Sequence, residues 1–290
     1  MVTSKEIESY YQHLQVSKSP HTHKRYRLTI EALRAYAGSD GKITAEVANK
    51  YLLEKSQQGK KEFNMSDIVF AYAIRGLLEY AGDPGFRQIN IPRVMRLDNP
   101  PFLNSPDVDD IVKHVAEVTG KKVLKPAISL SHELALRFGE AASIRREDFN
   151  LKTQKCRFVR EKQRNPMIQV LDVTDPAFQH VKEYLEWRTR DKSPWLFATD
   201  VQRAQLTMNE QKLFPLTCTN LGIDDRSGSG KKCTWHILRH TRLTWMIAQG
   251  ASIGEAAKFA GHQSVNSTLR YLNICTFYGL GVYGSLKGKS

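Results

Sequence analysis

The chain has 290 residues, with 43 Lys and Arg against 30 Asp and Glu, a formal net charge of +13. That length predicts two domains, and 41% hydrophobic and 25% charged residues with only 11 Pro and 18 Gly exclude a disordered, collagenous or low-complexity protein. No run approaches the 18 apolar residues of a membrane helix, and the start MVTSKEIESYYQHL lacks the apolar core of a signal peptide, so a cytoplasmic, non-membrane protein is expected.

In chain order, apolar residues recur at three and four in LTIEALRAYA, ITAEVANKYLLEK and IVFAYAIRGLLEYAG, which predicts a small bundle of about four helices up to residue 82. HTHKRYR, at the start of one of these helices, carries Lys24, Arg25 and Arg27 as candidate DNA-binding cations, although a solvated face is the commoner use of such a run. Periodicity stops over residues 83–104, which hold four prolines and read as a linker. Residues 105–290 read as a second, mainly helical domain. Ser105 caps its first helix, Pro106 starts it, and Asp107, Asp109 and Asp110 favour its dipole. CRFVREKQRNPMIQVLDV, residues 156–173, predicts a basic β-hairpin around Gln-Arg-Asn-Pro. Asp175-Pro176 opens another helix, and Thr207 with Glu210 forms a capping box for the next.

Residues 234–271, TWHILRHTRLTWMIAQGASIGEAAKFAGHQSVNSTLRY, hold the chemistry. With Thr234 as cap, His236, Arg239 and His240 share a helix face. Ser252 and Glu255 form a capping box, Gly261 ends that helix, His262 follows at the break, and Ser264 starts a last helix bearing Tyr271. Guanidiniums can fork onto a phosphodiester, a tyrosine hydroxyl can attack it, and a lysine can protonate the departing oxygen. The charge surplus agrees: residues 1–100 carry 15 basic and 11 acidic side chains and the remainder 28 and 19, so a polyanion held by both halves is expected.

The segment resembles the catalytic core of the tyrosine recombinase (phage integrase and Xer-type) family. His236-Ile-Leu-Arg239-His240 matches the His-x-x-Arg-His box, Gly261-His262 the Gly-His pair, and Tyr271 the nucleophile position. The separations, 23 residues from Arg239 to His262 and 9 on to Tyr271, fit the family. Upstream, LALRFGEAASIRREDFN resembles the first arginine box, with Arg137 and, three residues on, Glu140.

The resemblance implies a mainly α fold with a small β-hairpin or sheet. It also implies an N-terminal helical core-binding domain and a C-terminal catalytic domain that clamp double-stranded DNA. Arg137 and Arg239 would bind the scissile phosphate, His236 would donate a hydrogen bond, and Lys162 in the hairpin would be the general acid. His262 would assist Tyr271, which would form a 3′-phosphotyrosine, with Glu140 and His240 in support. No cofactor or metal is implied, and recombination would take four subunits on two duplexes at a specific site.

Two departures stand out. Glu-Leu-Ala-Leu precedes Arg137 where the family usually has a Thr-Gly-Leu type turn, and the hairpin lacks the usual Gly, so Lys155, Arg160 and Arg164 compete with Lys162. Arg164 is also a candidate DNA contact. Cys233, His236 and His240 with Cys218 could be misread as a zinc site, but Cys218 sits alone, and all four cysteines, Cys156 and Cys275 included, read as free thiols. The rival functions are a type IB topoisomerase, similar in fold and residue set, and a noncatalytic DNA-binding protein, which would have no use for Tyr271.

Overall fold

The computed structural model describes residues 2–38, 42–57, 65–91, 101–160, 166–189, 192–199, 202–223 and 233–281, and divides into two compact units, residues 1–97 and 98–290. In the first unit, helices α1 (Ser4–Ser17), α2 (Pro20–Tyr36), α3 (Ala45–Gln57) and α4 (Met65–Tyr80) are followed by a 3-10 turn, Pro84–Gln88. Thr3 and Glu6 cap α1 reciprocally, and Ile7, Tyr10, Tyr11 and Leu14 form its buried stripe. They pack with Ile30, Leu33, Ala71, Ile74 and Leu77. α4 comes close to α1 because Gly76 has no Cβ, which would lie 2.6 Å from the Tyr10 hydroxyl.

Both ends of the expected linker have partners within their own units. Ile89 joins the first core, while the Leu103 amide donates to Thr241 Oγ1 and its carbonyl accepts from Trp245 Nε1.

The second unit runs α5 (Ser105–Thr119), α6 (Leu124–Glu133), α7 (Phe138–Ala142), a 3-10 turn at Arg146–Asp148, then β1 (Phe149–Asn150), β2 (Lys155–Val159) and β3 (Pro166–Val170). Next come α8 (Pro176–Trp187) and α9 (Met208–Asn220), and then α10 (His236–Ala248), α11 (Ile253–Ala260) and α12 (Asn266–Tyr278). The strands form one antiparallel sheet in the order β1-β2-β3, with Arg157 opposite Ile168. β2 alternates, burying Cys156 and Phe158 and exposing Lys155, Arg157 and Val159. The main core gathers α5, α6, α8 and α9 around Phe178, Phe197, Phe214 and Trp235. A second cluster, formed by α10, α11 and α12, includes Leu243, Ile247, Ala256, Ile274 and Tyr271 itself.

Three helix starts differ from the sequence expectation. α5 is capped one residue earlier, at Asn104, whose amide donates to Asp107. α10 starts after Trp235, with the Thr234 carbonyl rather than its side chain receiving the first amide. α12 begins at Asn266 after Val265. The four cysteines are buried and unbridged, while Trp187 is half exposed beneath Lys122 and Arg203.

Candidate active site

The site starts where α6 ends. The chain reverses through Leu134–Leu136, and the Leu136 amide donates to the Ser131 carbonyl at 2.8 Å. Ala135 holds φ +49°, a left-handed conformation that glycine adopts at less cost. The atypical Glu-Leu-Ala-Leu approach is therefore a turn made with alanine. Its carbonyl points toward two guanidiniums. Arg137 caps α7, and the Glu140 carboxylate, one turn on, accepts from the Arg137 amide at 3.0 Å and from Arg137 Nη1 at 2.7 Å.

α10 supplies three of the expected residues. Arg239 is fully buried, with Nη1 donating to the Ala135 carbonyl at 2.7 Å and Nη2 to the Ala260 carbonyl at 2.6 Å. Its Nη1 is 3.9 Å from Glu140 Oε2, and its Nε makes no hydrogen bond among the described residues. His236 and His240, one turn apart, meet edge to face with ring centroids 4.5 Å apart. α11 stops at Gly261, whose φ of +67° suits a residue without Cβ. The reversal places His262 with Nδ1 against Thr268 Oγ1 at 2.8 Å. From α12, Tyr271 enters the cluster almost wholly buried, its hydroxyl 2.9 Å from His240 Nδ1. His262 lies parallel to the tyrosine ring, centroids 6.4 Å apart, so of the two imidazoles it is His240 that meets the hydroxyl.

Charge in the cluster is one-sided. Among the described residues, Arg137, Arg160, Arg239 and Arg270 act on these groups, and the carboxylate of Glu140 opposes them. Burial, with the guanidiniums adding to it, holds His236 and His262 down at about 4, and burial followed by His236 and then Arg270 holds His240 well below its ordinary value. The imidazoles are therefore neutral at pH 7. Burial, then the cations Arg137 and Arg160, bring Arg239 down to about 10. Burial raises Tyr271, while Arg239, Arg270 and Arg137 pull back toward the phenolate. For Glu140 the penalty of burial is overridden by Arg160 and Arg137, and its carboxyl sits below the usual range. An anion such as a phosphodiester would complement this excess of positive charge.

The structure thus brings Arg137, Glu140, His236, Arg239, His240, His262 and Tyr271 into one cluster. Lys162 and Arg164 lie outside the described residues. Of their competitors, Lys155 is exposed on β2, whereas Arg160 is wholly buried and paired with Glu140. Lys24 and Arg27 stand exposed on the first turns of α2, Arg27 over the Tyr11 ring, and Arg25 is half-buried. The sequence reading missed Thr268 and Arg270. Arg270 adjoins Tyr271, and that adjacency was its one available signal. Among the described residues, no group of three or more His, Cys, Asp or Glu is placed to hold a metal ion, and no helix is long and apolar enough to cross a membrane.

The family model described as "Phage integrase family" matches residues 101–276, which contain the whole cluster. The chain belongs to the phage integrase family. This family member is 23% identical to tyrosine recombinase XerA of Thermococcus onnurineus over 270 residues, 92% of this chain and 90% of the relative. Against TnP I resolvase of Bacillus thuringiensis the identity is 31% over 171 residues, 58% and 55% of the two chains. In fold it is similar to lambda integrase residues 75–356, solved as a dimer bound to a COC′ core site (TM-score 0.70, 15% identity, 93% and 95% coverage). It is similar also to the XerH site-specific recombinase bound to a palindromic difH substrate (TM-score 0.67, 14% identity, 94% and 82% coverage).

Proposed function

We propose that this phage integrase family member is a site-specific recombinase that cuts and rejoins double-stranded DNA through a 3′-phosphotyrosine at Tyr271. The observation that carries the reading is a buried tyrosine hydroxyl, held by His240 within a cluster of guanidiniums and neutral imidazoles. Arg137 and Arg239 bind the nonbridging oxygens of the scissile phosphate. His236 donates a further hydrogen bond. Tyr271 Oη forms a bond to phosphorus as the bond to the 5′ oxygen breaks. The tyrosine proton leaves along the imidazole side of the pocket, where His240 is in contact and His262 lies beside the ring. Lys162 protonates the departing 5′ oxygen. The ester conserves the bond energy, and a 5′-hydroxyl from a partner strand attacks it to reseal. Four copies on two duplexes complete an exchange, with the relatives' DNA-bound dimers and Holliday-junction tetramer as precedent. Lys24, Arg25, Arg27 and Arg164 provide backbone contacts.

A covalent trap tests this. Wild type and Tyr271→Phe are incubated with fragmented host and element DNA carrying nicks and denatured in detergent, and whatever stays attached to protein is sequenced. Wild-type-only adducts clustered at one repeat are expected. Adducts scattered without a site would replace recombination by relaxation of the topoisomerase type, and none, with DNA binding confirmed, would leave a noncatalytic clamp.

A further inference from the structure

Arg160 follows directly on β2, in a run of basic residues that reads in sequence as a surface for DNA. Its side chain is instead fully buried. Nη1 donates to the Ala135 carbonyl at 3.0 Å and to Glu140 Oε2 at 2.9 Å, and Nη2 to the carbonyls of Leu134 at 2.9 Å and Phe259 at 2.7 Å. One guanidinium thereby ties the end of β2 to the turn before Arg137, to α7 and to the last turn of α11.

Arg239 runs beside it between the same two ledges of main chain, from Ala135 to Ala260. The Ala135 carbonyl accepts from both, and Glu140 Oε2 faces both, at 2.9 Å from Arg160 and 3.9 Å from Arg239. The other carboxylate oxygen holds Arg137.

Burying a charge pair is a poor way to gain stability, because apolar residues of the same volume do as well or better. A guanidinium offers what they cannot: donors in a fixed plane that fit three carbonyls and a carboxylate at once. The group it controls is Glu140, whose carboxylate faces Arg137, Arg160 and Arg239.

We propose that Arg160 is a positioning residue for phosphate binding. It holds Glu140 as an oriented carboxylate, so that Arg137 and Arg239 are set at a fixed separation before DNA arrives, and it locks α11, which leads into His262, to the same frame. It does not touch DNA. This rests on the reading that Arg137 and Arg239 bind the scissile phosphate.

The test uses the full chain and nicked duplexes carrying the segment recovered in the covalent trap. Arg160→Met and Arg160→Lys are compared with wild type in single-turnover attachment and in DNA affinity, the latter in a Tyr271→Phe background, with thermal melting as the check on folding. A second duplex carries a methylphosphonate at the scissile position, where one charged oxygen is replaced by methyl. Removing one well-placed electrophilic contribution costs roughly 10²–10³-fold in rate, so Arg160→Met is expected to slow attachment about 100-fold on the native duplex. DNA affinity should change by less than about threefold, because phosphate contacts elsewhere dominate it. On the neutral methylphosphonate the defect should shrink to about tenfold or less, since correctly aimed guanidiniums gain less there. Arg160→Lys should fall between, and it decides the matter if the Met variant does not fold. Wild-type rates in a folded variant, an equal loss on both duplexes, or a loss confined to affinity would each overturn the proposal. Failure of wild type itself to attach would instead sink the reading on which it rests.

Discussion

At the residue scale, Tyr271 is both core and chemistry. Its ring fills the α10–α12 cluster and its hydroxyl engages His240. Tyr271→Phe should therefore abolish covalent attachment while costing only about 1–2 kcal/mol of stability, the usual penalty for stranding a buried partner. A melt showing wholesale unfolding would make that variant useless as a chemical control. Arg239→Ala should cost about 3 kcal/mol of transition-state stabilisation, roughly 10²–10³-fold in single-turnover cleavage, and an unreduced rate would remove Arg239 from the site. The histidines, Arg239 and Tyr271 were legible because their order and separations match a family pattern. Arg160 reads as a rival of Lys162 because it stands in the same basic hairpin, whereas its side chain is buried against Glu140. Nothing local in a sequence reports that Glu140, twenty residues earlier, and the carbonyl of Phe259 converge on it.

At the element scale, the helices were legible from periodicity and the hairpin from its flanking β-prone runs, whereas some starts slipped. Asn104 rather than Ser105 precedes α5 because Asp107 answers the amide three residues back. β1 is two residues long and has no pattern to read. The stretch after Tyr271 docks on its own unit: Ile274 and Cys275 are buried, Leu280 packs on the same cluster, and Tyr278 meets Phe102 edge on. Gly281, at φ +57°, would place a Cβ 1.8 Å from the Ala248 carbonyl oxygen. Gly281→Ala should thus lift the end of this stretch. Faster amide hydrogen exchange from Gly279 to Gly281 is expected, and unchanged protection would show that the docking tolerates a side chain.

At the scale of the molecule, charge and protonation govern behaviour. Both halves carry excess cations, so DNA affinity should fall steeply with salt, and replacing Lys24 or Arg27 with Ala should lower the slope of log K against log salt by about one each. A slope unaltered by either change would remove that cation from the interface. His132, His236 and His262 are each held at about 4, chiefly by burial. Between pH 6.5 and about 4 the unfolded chain takes up protons that these folded imidazoles refuse, so stability falls as pH drops through that window and is fully present above it. Glu133, raised to about 7 by burial despite Arg242, acts in the opposite sense, one carboxyl against several imidazoles. All these groups lie in the second unit, which should melt first in acid. Calorimetry from pH 8 to 4.5 checks this, and a second-unit Tm that does not move would refute it.

The peptide oxygen of Ala135, shared by Arg160 and Arg239, gives the site a ruler that no codon can rewrite. Substitution at 135 changes a side chain but leaves that oxygen in place for as long as the backbone stays left-handed. Ala135 is itself fully buried in the α10–α12 cluster, so in a substitution series there Gly should be the best tolerated, larger side chains should be rejected for want of space, and Val, Ile and Thr should be rejected by the torsion as well. The distance between two guanidiniums is inherited through a torsion angle.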